Sequence, residues 1–343
     1  MATLTTDEIA DLITTTQKNL GRMKWTDLST DLQEYIAMPN LIKKEKVQFD
    51  GGQAIQWNFM VNSNGQARNI GLFEVDNYNV TDVMKTASIP WRHTNTNYSI
   101  DAHEISINGD PATRIVDLVK VRRVAALIDL AKLMETNFWG APSSSSDEIT
   151  PYGIDYWVVK NATEGFNGGI PSGFSDVAGL SPTTYPRWKN WTAQYTTVSK
   201  PDLIAKMRQA STKTMFRPPV EISDYNRGNR YGYYTNYDVI GTMETLLENQ
   251  NENLGNDLAS KDGEVMFKRN PVKWVPELDS DAQDPVYGIN WGVFYPVFLK
   301  GWYMKEDKAR QHPNQHNVLV TDIDITYNWK CCDRRRLFII NKA

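Results

Sequence analysis

The sequence predicts an α+β fold, and three observations carry that prediction. Residues 110–138 form one unbroken helical pattern: Asp110 suits the N-cap, Pro111 the first helical position, and Gly140 with Pro142 closes it. Several other stretches, Val318 to Tyr327 the clearest, alternate apolar and polar residues as half-buried strands do. The two patterns follow one another without a regular strand–helix–strand rhythm, which sets a doubly wound parallel sheet aside.

The long helix would run for roughly 40 Å at 1.5 Å per residue. It carries two apolar stripes. Ile115, Val119, Ala126, Leu130 and Leu133 form one, and Leu118, Val121, Ala125 and Ile128 form the other. A helix on the surface of a domain needs one such stripe, so two predict a helix held between separate layers.

With 343 residues, 41% of them hydrophobic, the chain is long enough for a sizeable core and is not of disordered composition. A net charge of −4 is a poor balance for gripping nucleic acid, although it permits a protein that merely encloses DNA. No apolar run is long enough to span a membrane, and the first residues lack the basic flank and apolar stretch of a signal peptide. Cys331 and Cys332 are adjacent and cannot staple distant segments, which points to a reduced, cytoplasmic folding compartment.

In chain order, Thr5 to Glu8 reads as a capping box before a helical stripe of Ile9, Leu12, Ile13 and Leu20. Trp25, Leu28, Leu32, Tyr35 and Ile36 follow, then the solvated basic run 43–46. Residues 54–61 are strand-like, Asn62-Ser63-Asn64-Gly65 is a turn signal, and 66–75 is expected to return as the second leg of a long hairpin. That excursion has no apolar set able to form its own core, so it needs a partner surface. Strands are expected at 99–108, 152–159, 220–222, 291–299, 318–327 and 334–340, with a hairpin joining 265–267 to 272–275. Further helices are expected from Ser199 and from near Thr235.

No nucleotide-binding glycine motif, zinc-protease motif or nucleophile elbow is present. His312, His316, Cys331 and Cys332 offer a zinc set, but vicinal cysteines chelate awkwardly and Pro313 breaks the local spacing. Asp279, Asp281 and Asp284 have oxygen ligands for calcium, against the plainer reading of an acidic turn. Asp322 and Asp324 share a strand face without a histidine nearby in sequence. Eleven tryptophans, Trp188 and Trp191 among them, suit the sugar platforms of a glycoside hydrolase and equally suit core and interface anchors.

The order of these segments resembles the major capsid proteins of tailed bacteriophages, which share the Hong Kong-97 fold. The likeness rests on the hairpin tip at Asn62–Gly65, on Ser88–Thr94, Arg114–Arg123, Phe166–Gly169, Tyr185–Asn190, Tyr231–Asn236, Pro285–Trp291 and Cys332–Arg336. It implies an N-terminal arm over 1–47, an extended E-loop over 48–101, and a peripheral P-domain over 102–195 with the spine helix 110–138. An axial A-domain over 196–310 and a C-terminal return to the P-domain over 311–343 complete the division.

The function implied is self-assembly into an icosahedral shell around double-stranded DNA, without enzyme activity, cofactor or metal. A portal is implied as a further partner, and the scaffolding protein is expected to be a separate chain or absent; a decoration protein is left open. The implied location is the virion, after assembly in the bacterial cytoplasm. Trp57, Asn64, Gly65, Arg68, Trp91, Arg92, Arg187, Trp188, Arg334 and Arg336 are the intersubunit contacts the resemblance suggests. Two further expectations are the absence of a cleaved N-terminal extension and of a lysine–asparagine crosslink, since Lys85 is the hairpin zone's single lysine and lies far from the tip. Alternative functions are an encapsulin-like cellular compartment of the same fold and a tryptophan-rich glycoside hydrolase.

Overall fold

In the computed structural model, two β-sheets meet at the C-terminal end of one long helix. The structure describes residues 36–43, 46–73, 75, 78, 81–107, 112–216, 231–248 and 265–343. The helix expected over 5–20, the strand over 220–222 and the cap at Asp110 and Pro111 lie outside these residues.

The long helix spans Ala112–Trp139. Ala126, Leu130, Met134 and Phe138, spaced at i+4, are buried along one stripe. The second expected stripe is not covered: Val121 and Ile128 are half-buried, Ala125 is exposed, and Leu133, expected on the first stripe, is also exposed. The sandwich expectation therefore fails for the described residues. Among the described residues its last residue, Trp139, meets Tyr234 and Tyr287 of one sheet, which has seven strands, and the helix packs on the other sheet through the strand Arg92–Asp101.

That sheet has six strands. The path β1 (Gln48–Asp50), β11 (Phe294–Leu299), β14 (Gln315–Cys331), β12 (Lys305–Glu306) is joined by β13 (Arg310–His312) and β4 (Arg92–Asp101), which also pair with β14. Within β14, Ile323, Ile325 and Tyr327 face the core as their alternation predicts, whereas Leu319 lies further out on the strand and is exposed. β4 starts earlier than expected and gives way at Ala102–Ile107 to a short helix.

The second sheet has seven strands in the order β5 (Gly165–Gly168), β6 (Asn190–Tyr195), β15 (Phe338–Lys342), β10 (Val286–Asn290), β7 (Tyr231–Thr235), β9 (Asn270–Trp274), β8 (Met266–Phe267). The helical turn Lys200–Ile204 and the helices Ala205–Thr214 and Tyr237–Glu248 cover it with Leu203, Met207, Val239 and Met243, packed with Trp191, Tyr233 and Phe338. β8 and β9 form the expected hairpin, turning through Lys268 and Arg269 at positive φ of 47° and 69°.

Helix starts differ in detail from the capping boxes. Ser199 makes no side-chain cap, while Asp202 reaches back to the Thr196 and Thr197 N–H groups at 2.7 and 2.9 Å. Asn236, not Thr235, caps the next helix through the Val239 N–H. Residues 152–159, expected as a strand, contain the buried helical turn Ile154–Trp157. Arg334–Arg336 form a 3-10 turn, and the final strand begins only at Phe338.

β6 and the C-terminal strand β15 belong to the seven-stranded sheet, and β11 belongs to the six-stranded one. Phe138 joins the halves: its ring meets Trp291 at 5.5 Å, Phe294 at 5.8 Å and Trp329 at 5.8 Å.

One buried carboxylate fixes the arm. Glu135 accepts the N–H groups of Ile36, Ala37 and Met38 at 3.0, 2.8 and 2.9 Å, and the Trp139 Nε1–H at 3.0 Å. It thereby seats the short helix Ala37–Leu41 on the long one. Removing it would strand several buried donors, each costing about 1–3 kcal/mol. Glu135→Ala should lower the unfolding free energy by about 3 kcal/mol in a denaturant titration, through loss of these bonds.

Candidate assembly surface

The projecting hairpin pairs β2 (Ile55–Met60) with β3 (Met84–Ile89), Ile55 opposite Ile89 and Met60 opposite Met84. The first leg matches the expectation. The return leg does not: the described residues among 66–75 contain no strand, and the partner lies further on at Met84–Ile89.

Ile55, Trp57, Ala87 and Ile89 bury the hairpin's foot in the main core. Trp57 packs on Trp157 at 6.3 Å and Phe59 on Trp188 at 4.6 Å. The Ser88 N–H donates to the Ala178 carbonyl at 3.0 Å.

Arg334 holds that foot from beneath. Fully buried, it donates Nε to the Trp157 carbonyl at 2.7 Å and Nη1 to the Trp188 carbonyl at 2.9 Å. Its Nη2 serves the Gly169 carbonyl at 3.0 Å and Asn190 Oδ1 at 3.2 Å. Burial pushes the guanidinium down to about 10, which still leaves it charged at neutral pH. Five carbonyl and amide oxygens spread in a fork match a planar guanidinium and no other side chain.

Beyond the foot, residues 61–83 leave the body. The loop is cross-braced by Thr81 Oγ1 to the Asn64 carbonyl at 3.3 Å and Arg68 Nη2 to the Val75 carbonyl at 2.7 Å. Its apolar side chains point to solvent: Leu72 is 95% exposed, Phe73 102%, Val75 85% and Tyr78 88%. Covering a side chain of this size is worth about 1.5–3 kcal/mol, so the loop is a surface that gains from a partner.

The residues expected at intersubunit contacts separate into two groups. Asn64, Gly65, Arg68 and Arg187 are surface residues, and Trp91 is half-buried with its Nε1–H on the Gly52 carbonyl at 3.0 Å. Trp57, Arg92, Trp188, Arg334 and Arg336 are buried inside the protomer. Arg92 holds the Asp147–Thr150 turn by donating to both end carbonyls and lies over the Tyr152 ring. The apolar loop residues Ile70, Leu72, Phe73, Val75 and Tyr78 were readable in the sequence, but their alternation resembles a paired strand.

The enzyme and metal sets are dispersed. His316 and Cys331 sit at opposite ends of β14, about 50 Å apart at 3.3 Å per residue. Asp279 accepts from Tyr237 N–H and Trp274, Asp281 pairs with Lys160, and Asp284 pairs with Asn236 and Lys342. Asp322 pairs with Arg310 and Asp324 with Asn95. Trp188 and Trp191 are buried and present no sugar platform.

No family profile and no curated protein matches the sequence. Solved structures do match the fold. The capsid asymmetric unit of cyanophage A-1(L) is similar at a TM-score of 0.64 and 15% identity, covering 95% of this chain and 98% of that one. The capsid of a native GTA particle gives 0.58 and 10% over 95% and 96%. The capsid of Myoviridae phage XM1 gives 0.54 and 8% over 95% and 97%. The chain thus has the α+β fold of these capsid subunits, the Hong Kong-97 type anticipated from its sequence.

Two outcomes follow from this geometry. Arg334→Lys retains the charge but not the fork, and should cost about 2–4 kcal/mol in denaturant unfolding. Asp147, held down to about 2 by the Ile149 and Thr150 N–H groups, contributes stability that is present above its ordinary value of 3.8 and lost as pH falls towards 2. Asp147→Asn should therefore flatten part of the decline in melting temperature between pH 4 and pH 2.

Proposed function

We propose that this chain is the major shell subunit of a tailed-phage head, closing with copies of itself around double-stranded DNA. The observation that carries the proposal is the braced loop whose Leu72, Phe73 and Val75 are exposed among the described residues, on a chain whose fold is shared over 95% of its length with capsid subunits. A projecting patch that differs from the surface it meets makes head-to-tail contacts, which close into rings when the rotation permits. Each subunit engages several neighbours, so individual contacts can be weak and exchangeable while the whole is stable.

In this reading residues 1–47 act as the arm, 48–101 as the E-loop, and the six- and seven-stranded sheets as the cores of the peripheral and axial domains. Asn64, Gly65, Arg68, Trp91 and Arg187 remain the candidate contact residues from the sequence, joined by the apolar loop residues. Net charge of −4 suits a wall that encloses DNA without adhering to it. A portal closes one vertex, scaffolding or decoration proteins are separate chains, and assembly takes place in the host cytoplasm. The chemistry is mechanical, with no catalytic step.

Leu72→Ser with Phe73→Ser tests the proposal. The wild-type chain should sediment as closed shells or large rings, and the double variant as small species with unfolding free energy unchanged within about 0.5 kcal/mol. Normal shells from the variant would overturn the assignment of the loop.

A further inference from the structure

Two of the sequence's three Asn-Gly pairs lie in the described residues, and the structure treats them in opposite ways. Such a pair is chemically special because glycine has no Cβ to shield its backbone nitrogen, which can turn onto the side-chain amide of the preceding asparagine. Asn167 and Gly168 are held in place. The Asn167 Nδ2 donates to the Glu164 carbonyl at 3.0 Å and the Thr163 carbonyl at 3.4 Å, and its own carbonyl accepts from Asn161 Nδ2 at 3.2 Å. Gly168 is buried in β5, where a Cβ would lie 1.9 Å from Asn190 Oδ1, and its carbonyl accepts from Arg334.

Asn64 and Gly65 are exposed in the projecting loop, outside any helix or strand. Gly65 has a positive φ of 66° and open space around its α-carbon. Among the described residues nothing accepts a hydrogen bond from its N–H, so no bond must break before the nitrogen attacks. Thr81 Oγ1 lies 3.3 Å from Asn64 Oδ1, the atom on which negative charge develops when a nitrogen adds to the side-chain carbon. Attack needs the two atoms close and aligned, which the packing around Asn167 and Gly168 forbids and the loop permits. Asp50 and Gly51 make a related pair, the Gly51 N–H donating to Asp50 Oδ1 at 2.8 Å, but an ionised carboxylate repels the nucleophile and has no amine to expel.

We propose that Asn64 is a self-modification site, deamidating spontaneously through attack by the Gly65 nitrogen while Asn167 stays intact. The Gly65 N–H gives its proton to solvent base, the nitrogen bonds to Asn64 Cγ, and the Cγ–Nδ2 bond breaks as Nδ2 takes up a proton and leaves as ammonia. Water then opens the cyclic imide at either of its carbonyls. Opening at Cγ leaves an aspartyl residue, and opening at the former main-chain carbonyl leaves an isoaspartyl residue with one extra carbon in the backbone. No oxidant, reductant or cofactor takes part. Either product puts a negative charge beside the Thr81 brace, in the loop proposed above to meet a second copy, so chains that stay unassembled longest carry the altered tip. The reaction itself needs only the single chain and does not require the shell reading.

Timed incubation of the purified full-length protein at mildly alkaline pH, followed by peptide mapping with electron-transfer fragmentation, reads both positions in one sample. In the folded chain, conversion at position 64 should outpace that at position 167 by at least about tenfold, as a mixture of aspartyl and isoaspartyl products. In guanidinium chloride, where the fold no longer distinguishes the sites, the two rates should converge. In the same denatured chain, Gly65→Ala should slow position 64 by at least about tenfold and leave position 167 unchanged, which assigns the attacking nitrogen. Equal rates in the folded protein, faster conversion at position 167, or an intact Asn64 after a period in which the denatured chain has converted it would overturn the proposal. Rates that stay equally far apart in guanidinium chloride would assign the difference to sequence rather than structure and overturn it as well, and a position 64 rate indifferent to Gly65→Ala would rule out the Gly65 route.

Discussion

The buried Arg334 guanidinium is the constraint on which the projecting architecture depends. A charge taken wholly out of water is tolerated only where geometry compensates its desolvation, and here the oxygens of three separate segments converge on it. Those segments include the turn carrying Trp157 and the strand approach carrying Trp188, the two rings that receive Trp57 and Phe59. A loop that must meet another molecule in a fixed direction needs a rigid foot. The Arg334 fork supplies that rigidity from the protomer's interior, which is why an arginine triplet that looks like a surface patch in sequence is mostly internal.

The same logic applies to the arm. Glu135 spends its carboxylate on three consecutive backbone N–H groups, so the short helix Ala37–Leu41 is seated at a set point on the long one. Foot and clamp lie in one aromatic core with Phe138 at its hub, where the long helix meets strands β11 and β14. The hairpin foot and the short helix Ala37–Leu41 are therefore referenced to one core. That is what a subunit needs if errors in angle are not to accumulate around a closed surface.

Much of the fold was legible where periodicity is long and unambiguous. The helix over 112–139, the strand core at Ile323, Ile325 and Tyr327, and the hairpin foot at 55–60 all follow from apolar spacing. What failed has physical reasons. The stretch 66–75 alternates like a strand, yet its Leu72, Phe73 and Val75 are exposed, and exposed apolar side chains read in sequence like paired ones. Residues 152–159 are rich in aromatic side chains that favour strands, yet Tyr156 and Trp157 are needed as packing units in a tight buried turn. Burial of Arg92, Arg334 and Arg336 was invisible because their partners are main-chain carbonyls and distant residues, which leave no local signature. The sheet membership of β6 and β15 is likewise a matter of long-range pairing.

The central claim is that exposed apolar surface on this chain is matched by other copies of the same chain. Electron microscopy of the purified full-length protein, carried to a resolution that separates side chains, addresses it most directly. The account predicts closed particles in which Leu72 and Phe73 are seated on an adjacent subunit. Dispersed monomers with the loop bare, or particles in which those two side chains still face solvent, would contradict it.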